Sequence, residues 1–175
     1  METKNFNTGR VAAMHKPKLL KLKNYKDLRG NLIKFYAKDF FPNFNVKESF
    51  YSFNKKNVFR GMHYQSSPFS VNKIVHCFYG DILDFIVDLR KSSKTFKKVT
   101  KYRLNWKKPS ILFVPRGFAH GYLSISKISG VLYLFDQKYS KFHQKGFNYK
   151  SLEYFNKKKL ILSKRDRILP CINLK

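Results

Sequence analysis

Three short stretches hold the side chains with the most chemical promise. "NVFRGMHYQ" (57–65) brings Arg60, His63 and Gln65 within six positions. They are either the polar face of an ordinary strand or the start of an active site, and the stretch alone leaves both readings open. "GDILDFIVDLR" (80–90) carries three of the chain's 10 acids, Asp81, Asp84 and Asp88. Asp84 and Asp88 are four apart and so share one face of a strand. Asp84, set between Leu83 and Phe85, reads as inward-facing. A buried carboxylate must be paired or hydrogen-bonded. It is therefore either half of an internal ion pair with an arginine or a group that handles a ligand. "VPRGFAHGYL" (114–123) places His120 in a PxGxxH pattern, with Gly117 and Gly121 permitting tight turns. Two histidines with no glutamate beside them make a poor metal site, since protein sites usually offer three or four ligands. The expectation is no metal, with the histidines free for proton chemistry.

The elements that must position these groups read as strands. The chain has 175 residues, which suits one domain over 1–175, with 1–15 polar and loosely ordered. Its hydrophobic fraction is 43%, with 18 Phe and 11 Tyr, enough for a packed core and favourable to strands. Strands are expected within 16–24, 31–41, 47–65 (two, joined by "FNKKN") and 72–93 (two, flanking "YGD"). "VTKYRLNW", "SILFVP", "HGYLSIS" and "GVLYLFD" add four more. Many short strands without long helical periodicity predict an all-β sandwich or barrel. From about residue 141 the pattern weakens to short helix or loop.

The net charge of +27 is spread from Lys16 to Lys175 and is not gathered on one element. That spread argues against a nucleic-acid footprint, while an anionic small ligand needs only a local share of it. Cys77 and Cys171 show no metal or redox spacing and read as neutral thiols in a reducing compartment. No apolar run approaches the length of a membrane span, and "METKNFNTGR" lacks a secretory core, so the expected location is cytoplasmic.

The PxGxxH spacing is that of the second motif of cupins, in which a turn points a histidine into a β-barrel. Beyond it, five motifs in order over roughly residues 16–171 resemble the dTDP-4-dehydrorhamnose 3,5-epimerase family of jelly-roll cupins. "RGMHYQ" is similar to that family's RGLHFQ, and "GDILDFIVDLRKSSKTF" to G-x-V-x-D-V-x-V-D-x-R-x-x-S-x-T-F. "VPRGFAHGYL" is similar to P-x-G-F-A-H-G-F, "LYLFDQKYS" to Y-K-x-T-x-Y-Y-S, and "LILSKRDRILP" to the terminal LSxKD-x-x-P. The resemblance implies an all-β cupin jelly-roll barrel or sandwich with short helices near the C-terminus. It implies an epimerase of a nucleotide-diphospho-4-keto-6-deoxy sugar, acting at C3 and/or C5 without a cofactor, in surface-polysaccharide or deoxysugar synthesis.

Carried over position by position, the resemblance makes His63 the base and Asp166 the carboxylate that orients it. It makes Tyr133 the acid on the opposite face and Lys73 the cation near the C4 oxygen. Arg29, in "DLRG", would contact the diphosphate. Arg60 and His120 would line the sugar and phosphate end, Asp84 would sit in the pocket near His63 and Lys73, and Gln65 would help bind the substrate. A homodimer is implied, with N-terminal strands crossing between subunits. Three phrases depart from the family. Lys34 stands where a glutamate usually helps hold the thymine, "ESF" (48–50) with Phe50 replaces Gln-Asp-Asn, and Arg116 replaces a glutamate. The nucleotide, the sugar, or both are therefore expected to differ from the family's usual substrate. Two alternatives stay in view. A 3,4-ketoisomerase of the same shape would carry a second histidine two positions after the first, where this chain has Gln65. A non-catalytic sugar-nucleotide-binding cupin would keep the fold without the exchange chemistry.

Overall fold

The protein is described from a computed structural model over residues 14–155 and 159–174. Its strands are β1 (Lys18–Lys21), β2 (Asn24–Asp27), β3 (Gly30–Ile33), β4 (Glu48–Lys55), β5 (Phe59–Gln65) and β6 (Lys73–Tyr79). There follow β7 (Asp81–Asp88), β8 (Val99–Asn105), β9 (Ser110–Val114), β10 (Phe118–Ser124), β11 (Ile128–Phe135) and β12 (Gln144–Gly146). One helix, α1 (Lys164–Arg167), and two single-turn 3-10 segments complete the described elements. Two antiparallel five-stranded sheets, in the orders β1-β9-β6-β11-β4 and β12-β5-β10-β7-β8, face each other as a jelly roll. The hairpin β2–β3 forms a separate two-stranded sheet.

The expected strands are found, with two refinements. β4 runs on to Lys55, through the phrase read as its turn. The weakly patterned C-terminal stretch contributes the three-residue strand β12. The expected loose segment at 1–15 falls almost wholly outside the described residues.

Strand alternation builds three apolar layers. Between the sheets lie Val75, Cys77, Ile82, Ile86, Leu112, Val131 and Tyr133. The opposite side chains of β5, β7 and β10 (Phe59, Met62, Phe85, Leu123) pack under the C-terminal segment through Phe147, Leu152 and Phe155. The outer face of β6, β9 and β11 packs under residues 35–44 through Phe41 and Phe44. Each such fully buried large side chain contributes about 1.5–3 kcal/mol. Cys77 belongs to the central layer, and burial pushes its thiol up to about 12, so it is inert. The C-terminal cover has a further consequence, because it carries Asp166 back to the mouth of the sandwich.

Candidate active site

Arg60 and His63 are three apart on β5, and a regular strand would send them to opposite faces. Their partners on β10 are Tyr122 and His120, which are only two apart, so β5 holds one extra residue there. This is a β-bulge, and it turns both side chains into one pocket. Gly61 makes it possible. Its φ is +141°, and a Cβ on it would lie 2.5 Å from the Cα of Gly121 on the neighbouring strand. The glycine is required by close backbone approach as well as by conformation.

The pocket has a volume of about 550 Å³ and takes side chains from both sheets. β5 and β10 supply Arg60, His63, Gln65 and His120, while β6 and β11 supply Lys73 and Tyr133. A larger cleft of about 810 Å³ opens beside β1, β8 and β9, but lysines, Arg103 and apolar groups line it, with no histidine, tyrosine or carboxylate. Among the described residues, no three histidine, cysteine or acidic side chains cluster as a metal ion would need.

His63 gives its Nε2–H to Asp166 Oδ1 at 2.7 Å. That bond leaves Nδ1 with its lone pair, as a base requires. Asp166 is itself fixed. Its backbone N–H donates to the Ser163 hydroxyl at 3.0 Å, the N-cap of α1, and Asn148 Nδ2 donates to its carbonyl at 3.3 Å. Lys73 donates to the His63 carbonyl at 3.2 Å. Burial lowers the Lys73 ammonium to about 8, with the Asp84 charge opposing the shift. It is still a cation at neutral pH, but a poorly solvated one.

The second histidine pairs with Asp84, Nε2 to Oδ2 at 2.8 Å, and both groups are buried. Among the described residues no arginine pairs with Asp84, and its ion-pair partner is His120. Burial lowers the His120 imidazole and raises the Asp84 carboxyl, each towards its uncharged form. Asp84 Oδ1 is buried without a hydrogen-bond partner, and the charges of His120 and, more weakly, Lys73 oppose the effect of its burial. Asp88, four residues on, faces the same side. Burial would raise it, but bonds from Arg90, Ser93 and Thr95 hold it well below the usual carboxylate range.

Tyr133 is buried, and burial pushes its phenol well above the ordinary tyrosine value. It keeps its proton at neutral pH and so suits an acid. Phe50 stacks on it at 4.9 Å between centroids, and Phe135 meets it edge-on. Arg60 reaches across to Asn54 Oδ1 with its Nε at 2.7 Å.

The remaining sequence-predicted positions divide. Gln65 lines the pocket, but its amide is spent on the backbone. Nε2 donates to the carbonyls of Phe69 and Lys138, and Oε1 accepts from Ser140 N–H. Arg29 stays away from the pocket of its own chain. It sits at the tip of β2–β3, exposed and bound to Asp27. Lys34 is exposed and outside the pocket, and Arg116 is also outside it, paired with Asp136 at 2.9 Å. Glu48 accepts from the Tyr139 N–H at 2.9 Å. Sequence reasoning missed Arg165, Tyr139, Ser52 and Gln144 as pocket residues. Arg165 was within reach of it, because it precedes Asp166 in "LSKRD"; the others carry no signal of their own.

A jelly roll whose two sheets close around a histidine–aspartate pair, a lysine and a tyrosine has the architecture of a cupin-type fold. A family model described as dTDP-4-dehydrorhamnose 3,5-epimerase matches residues 12–173, and the chain belongs to that family. The dTDP-4-dehydrorhamnose 3,5-epimerase of Shigella flexneri is 38% identical over 96 residues, 55% of this chain and 53% of the relative. That of Methanothermobacter thermautotrophicus is 34% identical over 106 residues, 58% and 57% of the two chains. In such alignments the chain spans about half the length of the curated relatives it matches. Among solved structures, the Bacillus anthracis dTDP-4-dehydrorhamnose 3,5-epimerase, with TDP and PPi bound, superposes with a TM-score of 0.84 at 31% identity. It covers 98% of this chain and 99% of its own. The Sulfolobus tokodaii enzyme superposes with a TM-score of 0.83 at 35% identity, covering 89% of each chain.

Proposed function

We propose that the protein is a cofactor-independent epimerase of a nucleotide-diphospho-4-keto-6-deoxy sugar, acting at C3 and/or C5. The observation that carries this reading is the placement of His63 and Tyr133 on opposite sheets of one pocket. Net inversion needs proton removal on one face and delivery on the other. His63 Nδ1 takes the proton α to the C4 ketone, and the C–H electrons move into an enolate. Asp166 supports the imidazolium that forms. Lys73 stabilises the developing negative charge on O4, in a site dry enough for that charge to count. Tyr133 then protonates the same carbon from the far side. His63 ends with one extra proton and Tyr133 with one fewer, and exchange with solvent resets both.

Incubation in D2O with dTDP- and GDP-linked 4-keto-6-deoxy sugars tests the reading. Deuterium at C3 or C5, found by mass spectrometry, is the expected result. No incorporation with any substrate rejects it.

The substrate identity follows from the departures. Phe50 covers the acid where the family has an amide, and Glu48 is engaged with Tyr139. The base or sugar bound is therefore expected to differ from dTDP-4-keto-rhamnose precursors. Calorimetric titration with dTDP and GDP checks this, and tight dTDP binding with none of GDP would reject it.

The proposed assembly is a homodimer. Among the described residues the hairpin β2–β3 pairs with no other strand, and Arg29 is outside the lining of the pocket. Crossing to a second subunit would bring Arg29 to the diphosphate there. A cytoplasmic role in surface-polysaccharide or deoxysugar synthesis completes the proposal. Among the described residues no helix is long and apolar enough to cross a membrane.

A further inference from the structure

The connections β4–β5, β6–β7, β8–β9 and β10–β11 gather at one end of the sandwich. Backbone bonds tie them together. Lys56 N–H donates to the Lys127 carbonyl at 3.1 Å, Ile125 N–H to the Asp81 carbonyl at 3.0 Å, and Trp106 N–H to the Gly80 carbonyl at 3.1 Å. With their flanking residues they carry Lys55, Lys56, Lys107, Lys108 and Lys127, all exposed. The one acid at these turns, Asp81, is taken by Arg103, which reaches both of its oxygens. At the opposite end of β7 the charges cancel locally, since Arg90 pairs with Asp88 and Arg116 with Asp136. The turn end therefore holds a concentrated positive charge that the mouth does not.

The chain's single tryptophan stands among these lysines. Trp106 is 41% exposed and lies against Tyr79, itself 49% exposed, with ring centroids 5.7 Å apart. Ile128, 46% exposed, opens β11 beside them. Gly80 permits that approach, because a Cβ on it would lie 2.3 Å from the Ile128 carbonyl. Lys107 and Lys108 also line the cleft of about 810 Å³, together with Lys21, Arg103, Leu19 and Leu22. Cations beside apolar groups match the two halves of a phospholipid, its phosphate and its acyl chain.

We propose that this end is a peripheral docking surface for an anionic phospholipid membrane. The lysine ammoniums meet the phosphates while their stems lie along the apolar groups. Trp106 and Tyr79 settle at headgroup level, where rings with one polar edge are favoured, and Ile128 enters the acyl boundary. A nucleic-acid strand would use the cations and the rings but leave Ile128 and the two leucines without a partner. Docking in this way keeps the pocket open to water. β6 begins with Lys73 in the pocket and ends with Tyr79, and β11 begins with Ile128 and ends with Phe135 in the pocket. The proposal stands apart from the epimerase reading and needs no substrate to test.

Trp106, as the sole tryptophan, reports its own docking by fluorescence. The protein is titrated at low salt with phosphatidylcholine vesicles and with mixed phosphatidylcholine–phosphatidylglycerol vesicles. The anionic vesicles should shift its emission to the blue, brominated acyl chains should quench it, and raised salt should reverse both. Neutral vesicles should do neither. Each basic residue near such a surface multiplies binding by about 5, so Lys107→Gln combined with Lys108→Gln should weaken it about 25-fold. The control is Lys91→Gln combined with Lys94→Gln, two exposed lysines on the loop that follows β7 at the opposite end. It removes the same charge and should leave binding little changed. Equal losses in the two double variants mean attraction by net charge alone and overturn the proposal. An emission unmoved by anionic vesicles overturns it too, as does a shift given by a single-stranded oligonucleotide and not by vesicles. A shift produced by raising the protein concentration without lipid would make a second copy the occupant and likewise overturn it.

Discussion

His63 and His120 are direct neighbours across β5 and β10, and each gives Nε2 to a carboxylate, at 2.7 Å from Asp166 and 2.8 Å from Asp84. By composition and distance the pairs are interchangeable. They differ in access to solvent. The His63 and Asp166 side chains are 26% and 5% exposed, those of His120 and Asp84 5% and 0%. They also differ in support. Asp166 hangs on a four-residue helix carried by the C-terminal cover, whereas Asp84 is in the middle of β7, paired on both sides. An imidazole that must take a proton and release it to water needs an open side, and His63 has one. A pair closed on every side shapes the pocket's field and its packing instead. On the proposed reading, burial more than residue type separates the two roles.

The largest expected effect follows from removing the open pair's base. His63→Asn should lower deuterium exchange by about 10²- to 10⁴-fold, the span for a general base, with little change in the urea midpoint. The reverse pattern is expected at the closed pair. His120→Asn leaves Asp84 buried and unpaired, and should cost about 3–5 kcal/mol in urea unfolding. If the two substitutions gave the same balance of stability and activity, the distinction between the pairs would be lost.

Lys73 lies between the pairs, bonded to the His63 carbonyl and facing the Asp84 charge. Replacing it with methionine should abolish exchange and yet stabilise the fold by up to about 3 kcal/mol at neutral pH, because the buried ammonium is costly. The pH dependence has a definite sign. In the fold Lys73 loses its proton near pH 8, against 10.5 for the ordinary group. Between those values the unfolded chain binds more protons, so this group makes stability rise with pH. The advantage of Lys73→Met should therefore shrink from pH 8 to 10.5, read from urea curves at each pH. Exchange by the wild-type protein should fall around pH 8, where the folded protein loses this cation.

The smallest effect tests the support of the open pair alone. Ser163→Ala removes the cap that holds Asp166 and should cost about 1 kcal/mol. It should lower exchange several-fold without altering the His120 pair, whose ring signals in an NMR titration serve as the control.

Much of this arrangement was legible in the sequence. Alternation placed Asp84 inward, the ordered motifs named His63, Tyr133 and Asp166 from three distant parts of the chain, and the same resemblance named Lys73. What alternation could not show is why Arg60 and His63 share a face at a spacing of three. The answer lies in a bulge whose cause, Gly61 against Gly121, is a contact between strands. An arginine partner was one of two readings for Asp84, and only the register of β7 on β10 brings His120 to it. Gln65 drew attention by standing beside His63, yet its amide is consumed by backbone groups up to 75 positions away. Such long-range bonds leave no local pattern. The three residues of β12 were equally silent, being too few to show a period.

The most direct test of the central claim is NMR-detected deuterium incorporation at C3 and C5 of a bound 4-keto nucleotide sugar, comparing wild type with His63→Asn and His120→Asn at a temperature where all three are folded. The account predicts incorporation by wild type, a rate lower by about 10²-fold or more from His63→Asn, and a readily measurable rate from His120→Asn. Incorporation by His63→Asn at the wild-type rate would contradict it.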